Sequence, residues 1–321
     1  MTPLYPFLLI PIFDERPWGV RDLRPVYTKI VKEPIGESWL TWGDSRIANG
    51  PFAGRTLGEI AGQYKRELVG SAAVFEDRFP LLVKFLFPAE KLSVQVHPDD
   101  AGARRVGQPY GKTECWYVLD AKPNAQVALG LKPGATIAEF EASIHGNRAE
   151  ELLNWVTVYP GDMLYVAAGT VHTIGGGLVL VETQQSSDIT YRLYDYGRPR
   201  ELHIKDGLAA VKLHTRAGKV VHRDDNPDFL VRSPFFQVEK RTLAAPLDGE
   251  VSPQSPHILV AIEGSGRVEC DGMEPVSFAK GEAIVVPACV PRYSVRPQWD
   301  LELMRMSLPP GPVAEPATVL R

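Results

Sequence analysis

Short apolar segments separated by glycine and proline run along most of this chain. Several alternate apolar with polar positions, a pattern typical of β-strands. We predict strands at residues 81–87, 92–97, 115–119, 163–166, 178–182, 257–262 and 283–286. The stretch 4–13, which Pro6 and Pro11 interrupt, is predicted to be a first strand and not a signal peptide, because no basic residues precede it. Closely spaced strands joined by turn residues favour a sandwich or a barrel.

Helical patterns are few and short. Thr56 with Glu59 forms the sequence of a capping box, and apolar residues follow it at helical spacing. Thr136 with Glu139 opens a second helix of the same kind. A third short helix is predicted from Asn147. We therefore expect a mainly β protein with a few short helices.

Two segments resemble each other and indicate an internal repeat. Residues 161–172 and 281–292 both begin with glycine and an acid, continue with four apolar or aromatic residues and then turn. We interpret them as the same small β-barrel built twice, although two unrelated turns remain the simpler alternative. The first segment ends in His172 and the second in Arg292. Because histidine can bind a metal and arginine cannot, only the first copy is equipped for metal chemistry.

The chain of 321 residues is long enough for about two domains. A charged and proline-rich segment around residues 215–256 marks a break between two β-rich parts of the chain. We predict an N-terminal metal-binding domain at 1–215, which carries the short helices, and a C-terminal metal-free domain at 216–321. The proline-rich tail 309–321 is expected to be loosely held.

Composition excludes several classes of protein. The chain has 44% hydrophobic and 23% charged residues, which is ordinary for a globular protein, and its net charge of −4 gives no basic field for nucleic acid or membranes. No apolar run approaches the roughly 18 residues of a membrane span. Three cysteines without a CxxC pair make a disulfide framework improbable and suit a cytoplasmic protein.

The segment 92–97 carries a polar stripe. Ser93, Gln95 and His97 alternate with apolar residues, so on a strand they share one face. Pointed into a barrel, this stripe would form a site. The alternative is an amphipathic edge strand whose polar side faces water.

Glu114 enters a very apolar strand, where an unpaired carboxylate would cost several kcal/mol if it were buried. Its partner is either Lys112, as a surface ion pair, or a metal ion. Together with His172, the residues Gln95, His97 and Glu114 would offer two imidazoles, a carboxylate and an amide oxygen. Such a set suits Zn²⁺, with Fe, Mn or Co as alternatives.

A further polar and aromatic segment covers residues 182–198. Arg192 and Tyr194 alternate on one face of it. An arginine beside a metal site can hold a phosphate or stabilise an oxyanion. The alternative is a surface strand in which Asp188 or Asp195 pairs with Arg192.

In combination, these motifs resemble the short bacterial type of class I mannose-6-phosphate isomerases, a family of two-domain cupins. The matching segments fall in order at residues 16–19, 36–39, 78–84, 92–99, 111–117, 160–162, 169–172, 182–188 and 190–196. The second half matches in character only, since Arg292 and Cys289 replace the motif's histidine and glycine. Ala167 stands where the family usually has proline, and Val20 where a second glycine is common.

The resemblance implies two cupin-type jelly-roll β-barrels and one Zn²⁺ per chain. It places the zinc on Gln95, His97, Glu114 and His172, and it makes Arg192 the catalytic arginine. The family interconverts mannose 6-phosphate and fructose 6-phosphate, moving a proton between C2 and C1 through a cis-enediol.

Three roles follow as hypotheses. Lys84, Ser93 and Lys112 are the candidates for holding the phosphate, and Lys84 could equally be a lysine at a strand end. The general base stays open between Lys112, Glu182 and a metal-bound water. We treat Lys112 as catalytic together with Arg192.

Other functions remain open at this point. A cupin oxygenase using Fe²⁺ would need a similar ligand set. A metal-dependent cupin enzyme acting on another sugar, or a non-catalytic cupin that binds sugar phosphates, would also fit. A small sugar phosphate is the expected partner, and no nucleic acid, membrane or obligate protein partner is implied.

Overall fold

The structure is a computed structural model that describes residues 2–221, 228–311 and 319–320. Within these ranges the chain is mainly β, as predicted. The strands of the first half are β1 Phe7–Leu9, β2 Ile12–Asp22, β3 Ile30–Trp39, β4 Leu81–Leu86, β5 Val94–Val96, β6 Glu114–Ala121, β7 Gln126–Leu131, β8 Leu153–Thr157, β9 Met163–Val166, β10 His172–Ile174, β11 Leu178–Gln185 and β12 Tyr191–Tyr194. Those of the second half are β13 Ala217–Val220, β14 Phe229–Arg232, β15 Gln237–Leu243, β16 Leu247–Glu250, β17 His257–Glu263, β18 Ser265–Glu269, β19 Val276–Ala279, β20 Ala283–Val286, β21 Arg292–Pro297, β22 Leu301–Ser307 and β23 Val319–Leu320. The α-helices are α1 Leu57–Tyr64, α2 Arg66–Val69, α3 Asp100–Arg105, α4 Ile137–His145 and α5 Ile204–Ala210.

The first half folds as two facing sheets. Eight strands follow the order β2-β3-β4-β11-β6-β9-β13-β23, and five follow the order β12-β5-β10-β7-β8. Trp116 and Leu180 on the larger sheet share a buried cluster with Val127 and Ile174 on the smaller one. The core of this half therefore lies between the two sheets.

The second half repeats this arrangement. Its larger sheet has the order β1-β20-β17-β22-β15-β14 and its smaller sheet the order β16-β21-β18-β19. Leu259 and Leu303 on one sheet share a buried cluster with Phe278 and Val295 on the other. A third cluster, which includes Phe85 and Val181 of the first half with Val260 of the second, joins the outer faces of the two large sheets. The fold is thus four sheets stacked face to face around three apolar layers.

The predicted fold class of two jelly rolls with a few short helices is confirmed. Among the described residues, however, each unit is a pair of facing sheets and not a closed barrel. Most predicted strands are found within a few residues of their expected bounds.

The first two predicted helices are α1 and α4, and both have their capping boxes. In α1 the hydroxyl of Thr56 accepts from the backbone N–H of Glu59 at 3.2 Å, and the Glu59 carboxylate accepts from the N–H of Thr56 at 2.8 Å. Thr136 and Glu139 make the same exchange in α4. The third prediction is met only by a 3₁₀ turn at Ala149–Leu152, and α3 and α5 were not predicted.

The prediction of a single first strand at residues 4–13 was wrong. Residues 7–9 form β1, which pairs with β20 of the second half with Phe7 opposite Val285. Residues 12–22 form β2, which pairs with β3 of the first half. Pro11 lies between the two and has no N–H for a sheet ladder, so the chain leaves one sheet there and enters another.

The expected break at 215–256 also contains structure, since β13, β14, β15 and β16 lie within it. Strand β13 pairs with β9 and thereby extends the first half's large sheet, and β23 adds to it. Residues 222–227 of the break and 312–318 of the tail lie outside the described residues. The domain division at 215/216 stays a prediction. Among the described strands, β1 joins a sheet of the second half, and β13 and β23 join the large sheet of the first half.

No helix of the described residues is both long and apolar enough to cross a membrane. Cys115, Cys270 and Cys289 are all free thiols. Burial raises the pKa of the Cys115 thiol well above its usual range, so this side chain is packing and not a nucleophile.

Candidate metal centre

Three side chains converge at one end of the first sheet pair. Glu114 is the first residue of β6, His172 is the first of β10, and His97 follows β5 directly. The ladder aligns them, because Gln95 on β5 lies opposite His172 on β10. The alternative of an edge strand is wrong, because β5 lies between β12 and β10, and Gln95 and His97 both lie at this cluster.

The three ligand groups are packed tightly. His97 Nε2 lies 3.6 Å from Glu114 Oε2, and His172 Nε2 lies 3.3 Å from Glu114 Oε1. One candidate ligand atom from each residue lies within 4.8 Å of the others. All three side chains are 1% exposed. Together they could hold a metal ion.

Backbone contacts fix the orientation of both imidazoles. His97 Nδ1 lies 2.8 Å from the carbonyl oxygen of Ile189, and His172 Nδ1 lies 2.9 Å from that of Thr170. A carbonyl only accepts, so each Nδ1 carries the proton and each Nε2 presents a lone pair. Those lone pairs face the carboxylate of Glu114.

This arrangement of acceptors suits a metal cation. Glu114 Oε1 is buried and has no hydrogen-bond partner among the described residues. Burial lowers the pKa of His172 to about 4 and that of His97 well below its usual value, so both rings are neutral at pH 7. Two neutral imidazoles and a carboxyl group form a set that a divalent metal ion binds. The residues present therefore fit a metal.

Lys112 is not the surface partner of Glu114. It is buried, and its Nζ lies 2.6 Å from Glu114 Oε2 and 3.1 Å from His97 Nε2. The alternative of an exposed ion pair is therefore wrong. Lys112 belongs to the same polar cluster as the candidate ligands.

Gln95 and Ser93 complete this side of the cluster. Gln95 Nε2 lies 3.2 Å from His172 Nε2, and Ser93 Oγ lies 3.3 Å from Gln95 Oε1. A half-turn of the amide would exchange its nitrogen and oxygen at the histidine. Both residues line the cavity described next.

A cavity of about 480 Å³ lies beside the cluster. Buried ion pairs form its floor: Lys84 Nζ lies 3.2 Å from both Glu37 Oε2 and Glu182 Oε1, and Lys112 Nζ lies 3.5 Å from Glu182 Oε1. Burial alone would lower the pKa of both lysines, but the neighbouring carboxylates raise it, so both stay charged. The floor is thus a row of alternating charges.

Arginines form the opposite wall. Asp195 is buried and accepts from Arg200 at 2.6 and 2.8 Å, while Arg198 lies 3.1 Å from it and Arg192 lies 4.0 Å from it. Arg192 Nε is buried without a hydrogen-bond partner. The alternative that Asp195 pairs with Arg192 is met in part: Arg192 Nε approaches Asp195 Oδ2, but Asp195 is buried, so the pair does not lie on an exposed strand. Arg192 lines the cavity.

A larger cavity of about 680 Å³ lies on the far side of segment 186–189 and shares Asp188 with the first. Gln95 and Lys112, which contact His172 and Glu114, line the smaller cavity and not the larger one. We therefore place the chemistry in the smaller cavity.

Sequence reasoning gave no role to three residues that shape the site, namely Arg16, Glu37 and Arg200, and named Asp195 only as a possible partner of Arg192. Arg16 and Glu37 lay within motifs that had been recognised but given no role. Their strands lie apart in sequence from the ligands, and only the sheet order brings them together.

Comparison with known proteins gives consistent results. A family model described as "Phosphomannose isomerase type I, catalytic domain" matches residues 12–141. "Mannose-6-phosphate isomerase ManA" of Bacillus subtilis strain 168 is 37% identical over 300 residues, which cover 88% of this chain and 93% of that protein. "Mannose-6-phosphate isomerase" of Streptococcus mutans is 33% identical over 315 residues, covering 93% of this chain and 97% of that protein.

Solved structures agree. The crystal structure of mannose 6-phosphate isomerase from Bacillus subtilis superposes with a TM-score of 0.82 at 32% identity, covering 94% of this chain and 99% of that one. A protein from Archaeoglobus fulgidus, described as a putative mannosephosphate isomerase, superposes with a TM-score of 0.75 at 21% identity over 95% of this chain and 97% of that one, which shows a shared fold.

Proposed function

This chain belongs to the type I phosphomannose isomerase family, and from that premise we propose that it interconverts mannose 6-phosphate and fructose 6-phosphate through a cis-enediol. The observation that carries the proposal is the cluster of His97, Glu114 and His172 beside a cavity lined by cations. A metal-ligand cluster next to an anion-binding pocket is what an aldose–ketose isomerase acting on a sugar phosphate needs.

We propose one Zn²⁺ per chain, held by His97, Glu114 and His172 with the amide oxygen of Gln95 as fourth ligand. Two imidazoles and a carboxylate form a common zinc set. Bound there, the ion would polarise the oxygens on C1 and C2 of the sugar. The free thiols support a cytoplasmic location, where such cysteines stay reduced.

Proton transfer falls to the buried pair Lys112 and Glu182. Lys112 Nζ lies 3.5 Å from Glu182 Oε1, and neither side chain is more than 4% exposed. Water is therefore kept from the proton that moves between C2 and C1. Arg192, whose charged side chain lines the cavity, stabilises the oxyanion that develops on the sugar.

The phosphate needs positive charge that the protein has not already neutralised. Lys84 and Ser93 are our candidates from the sequence, and both line the cavity. Since Lys84 lies between two carboxylates, Arg200 on the opposite wall is added as a further anchor. Arg192 and Arg200 both line the cavity and share the single carboxylate of Asp195 with Arg198, so positive charge is in excess there.

The test is a coupled assay of fructose 6-phosphate formation from mannose 6-phosphate. It is run on the protein as purified, after chelation and after Zn²⁺ is added back, with bound zinc measured in each sample. We expect activity that the chelator abolishes and zinc restores.

An absence of turnover in every sample, with one zinc bound per chain, would contradict the proposal. Binding of sugar phosphate without turnover would then indicate a non-catalytic cupin. Turnover of other sugars only, phosphorylated or free, would indicate a different substrate on the same site. Activity restored by Fe²⁺ and not by Zn²⁺ would contradict the choice of metal alone.

A further inference from the structure

Two sequence motifs meet at the outer end of the cavity floor, and the metal centre uses neither. Residues 16–19 lie on β2 and residues 36–39 on β3, and these strands pair. Both segments reach the cavity, through Arg16, Trp18 and Glu37. Their contacts explain what the two motifs have in common.

Glycine in each motif allows the strands to approach unusually closely. A Cβ on Gly36 would lie 2.5 Å from Cβ of Arg16, and a Cβ on Gly19 would lie 2.4 Å from the carbonyl carbon of Ile35. Real side chains do not tolerate such distances, so both positions require glycine. The close approach lets Arg16 cross over Gly36 and reach the next residue, Glu37.

Two side chains outside the row of lysines and glutamates, Arg16 and Trp39, hold the carboxylate of Glu37 in place. Trp39 Nε1 donates to its Oε2 at 2.6 Å, and Arg16 Nε donates to its Oε1 at 3.3 Å. Asp14 accepts from Arg16 at 2.7 Å and steadies that guanidinium in turn. Burial would raise the pKa of Glu37, but Lys84 and Arg16 lower it to about 2, so the carboxylate is charged.

The fixed carboxylate then fixes Lys84. Lys84 Nζ lies 3.2 Å from Glu37 Oε2 and 5.4 Å from the centre of the Trp39 ring. Lys84 is opposite Trp39 across β3 and β4, so one strand supplies both of these contacts. The remaining contact of Nζ is Glu182 Oε1, again at 3.2 Å.

A continuous row of ion pairs results, from the cavity rim to a candidate metal ligand. Its members alternate in charge, in the order Asp14, Arg16, Glu37, Lys84, Glu182, Lys112 and Glu114. Glu37 is the carboxylate that precedes Lys84 in this row, and Lys84 is the first member to which we assign a role with the substrate. The position of Glu37 therefore determines the position of Lys84 and, through Lys84, that of Glu182.

We propose that Glu37 is a positioning residue, which the paired motifs at 16–19 and 36–39 hold in place so that it fixes Lys84 against Glu182 for the reaction. The proposal rests on the proposed isomerase function. It assigns no contact between Glu37 and the sugar. It also gives the two motifs a shared purpose, since each supplies one glycine for the close approach and one group that binds Glu37.

The test is Glu37→Gln, which keeps the shape of the side chain and removes its charge. We expect kcat/KM to fall about 10- to 100-fold, as for other residues that orient catalytic groups. Bound zinc should stay at one per chain, because Glu37 contacts no candidate ligand.

Glu239→Gln is the matched control. Glu239 is also buried, accepts from Arg305 at 2.6 Å and lies 3.5 Å from Arg241, but it lies in the second half. We expect it to lower the melting temperature while kcat/KM stays within about twofold of wild type. A loss of activity that only reflects disturbed buried charge would appear in both variants.

A double-mutant cycle with Lys84→Gln separates positioning from general damage. If Glu37 acts through Lys84, the double variant should be no slower than Lys84→Gln alone. Effects that multiply, or a Glu37→Gln variant within twofold of wild type at full zinc, would overturn the proposal. If Glu37→Gln does not fold, Glu37→Asp replaces it, because the shorter side chain keeps the charge and withdraws from Lys84.

A wild-type protein without turnover would count against the proposed function and not against this inference. In that case the crystal structure of Glu37→Gln decides. Lys84 Nζ should have left its position midway between residue 37 and Glu182; an unmoved Lys84 would overturn the proposal.

Discussion

The two halves of the molecule share one strand frame and differ in the polar residues placed on it. In the first half β11 lies between β4 and β6, with β9 next; in the second half β22 lies between β15 and β17, with β20 next. The small sheets correspond as well, with β5-β10-β7-β8 matching β16-β21-β18-β19. The repeat predicted from residues 161–172 and 281–292 is therefore a repeat of structure.

At matching positions the chemistry is changed. Gln95 lies opposite His172 in the first half, whereas Glu250 lies opposite Arg292 in the second. The Glu250 and Arg292 side chains are mostly exposed and form a loose ion pair at 3.9 Å. Because Arg292 and Glu250 neutralise each other, this position offers no two free lone pairs that could bind a metal.

The buried charges are also exchanged. Lys84 lies opposite Glu182 across β4 and β11, while Glu239 lies opposite Arg305 across β15 and β22. Each half thus buries an ion pair at this point. In the first half the pair lines an open cavity, and in the second Arg305 and Glu239 bond directly at 2.6 Å.

A segment of the first half covers the corresponding end of the second. The carbonyl of Leu68, the next-to-last residue of α2, accepts from the N–H of Ala288 at 3.0 Å, and the N–H of Ala72 donates to the carbonyl of Gln254 at 2.9 Å. The contact at Ala288 falls on the turn that matches the His172 turn, and the contact at Gln254 falls on the loop between β16 and β17. The shared arrangement of strands is therefore not sufficient for a site. The first half also has an open cavity and buried acceptor atoms without hydrogen-bond partners among the described residues.

The largest expected difference between the halves comes from exchanging His172 and Arg292 separately for alanine. His172→Ala removes one of two imidazoles, so bound zinc should be lost and turnover should fall roughly 1,000-fold or more. Arg292→Ala removes an exposed side chain and should leave one zinc and full turnover. Zinc content and the coupled assay measure both. Loss of metal in Arg292→Ala would show that the second half binds zinc after all.

Arg192→Ala should have the next largest effect. Arg192 lines the cavity, so removing its guanidinium should lower kcat about 100- to 1,000-fold while zinc stays bound. Arg305→Lys in the second half, which keeps a cation beside Glu239, should leave kcat unchanged. Near-normal turnover of Arg192→Ala would remove Arg192 from the mechanism.

Local patterns predicted those parts of the fold and the site that depend on local chain geometry. Alternation placed Gln95 and His97 on one face because successive strand residues point to opposite sides. The capping boxes of α1 and α4 were readable because each joins residues three apart. The turn before His172 was readable for the same reason.

Pairing between distant segments could not be predicted from these patterns. Nothing in residues 7–9 indicates that β1 joins β20, since an edge strand has the same composition in any sheet. The role of Glu37 was missed because the function of a single carboxylate in a strand depends on the residues that face it. The family resemblance supplied the ligand set, and the sheet order supplied the residues that hold it.

Gly70 tests whether the covering segment matters to the second half. Its φ is +80°, and an added Cβ would lie 2.2 Å from the carbonyl oxygen of Gln254. Gly54 has a similar φ of +84° with no atom within 4 Å of the added Cβ. We expect Gly54→Ala to lower the free energy of unfolding by about 1 kcal/mol and Gly70→Ala by about 3 to 4 kcal/mol. Equal losses in chemical denaturation would mean that the contact with Gln254 contributes nothing.

His257 gives the smallest expected difference, and it depends on pH. Its Nδ1 lies 3.0 Å from the hydroxyl of Tyr293, and burial together with the charge of Arg305 lowers its pKa from 6.5 to about 3. Below about pH 6.5 the unfolded chain therefore binds a proton that the folded one does not, and the free energy of unfolding falls as the pH falls towards 3. The free energy of unfolding changes by about 1.4 kcal/mol per pH unit, so the loss at pH 5 is about 2 kcal/mol.

In His257→Gln this contribution is absent. Between about pH 7.5 and pH 5 the variant should therefore lose about 2 kcal/mol less than wild type in urea unfolding. His97 and His172 titrate in both proteins and cancel in this difference. Equal losses in the two proteins would mean that the folded protein accepts a proton on His257. The pair of His257 and Tyr293 in the second half would then be held less rigidly than His97 and His172 in the first.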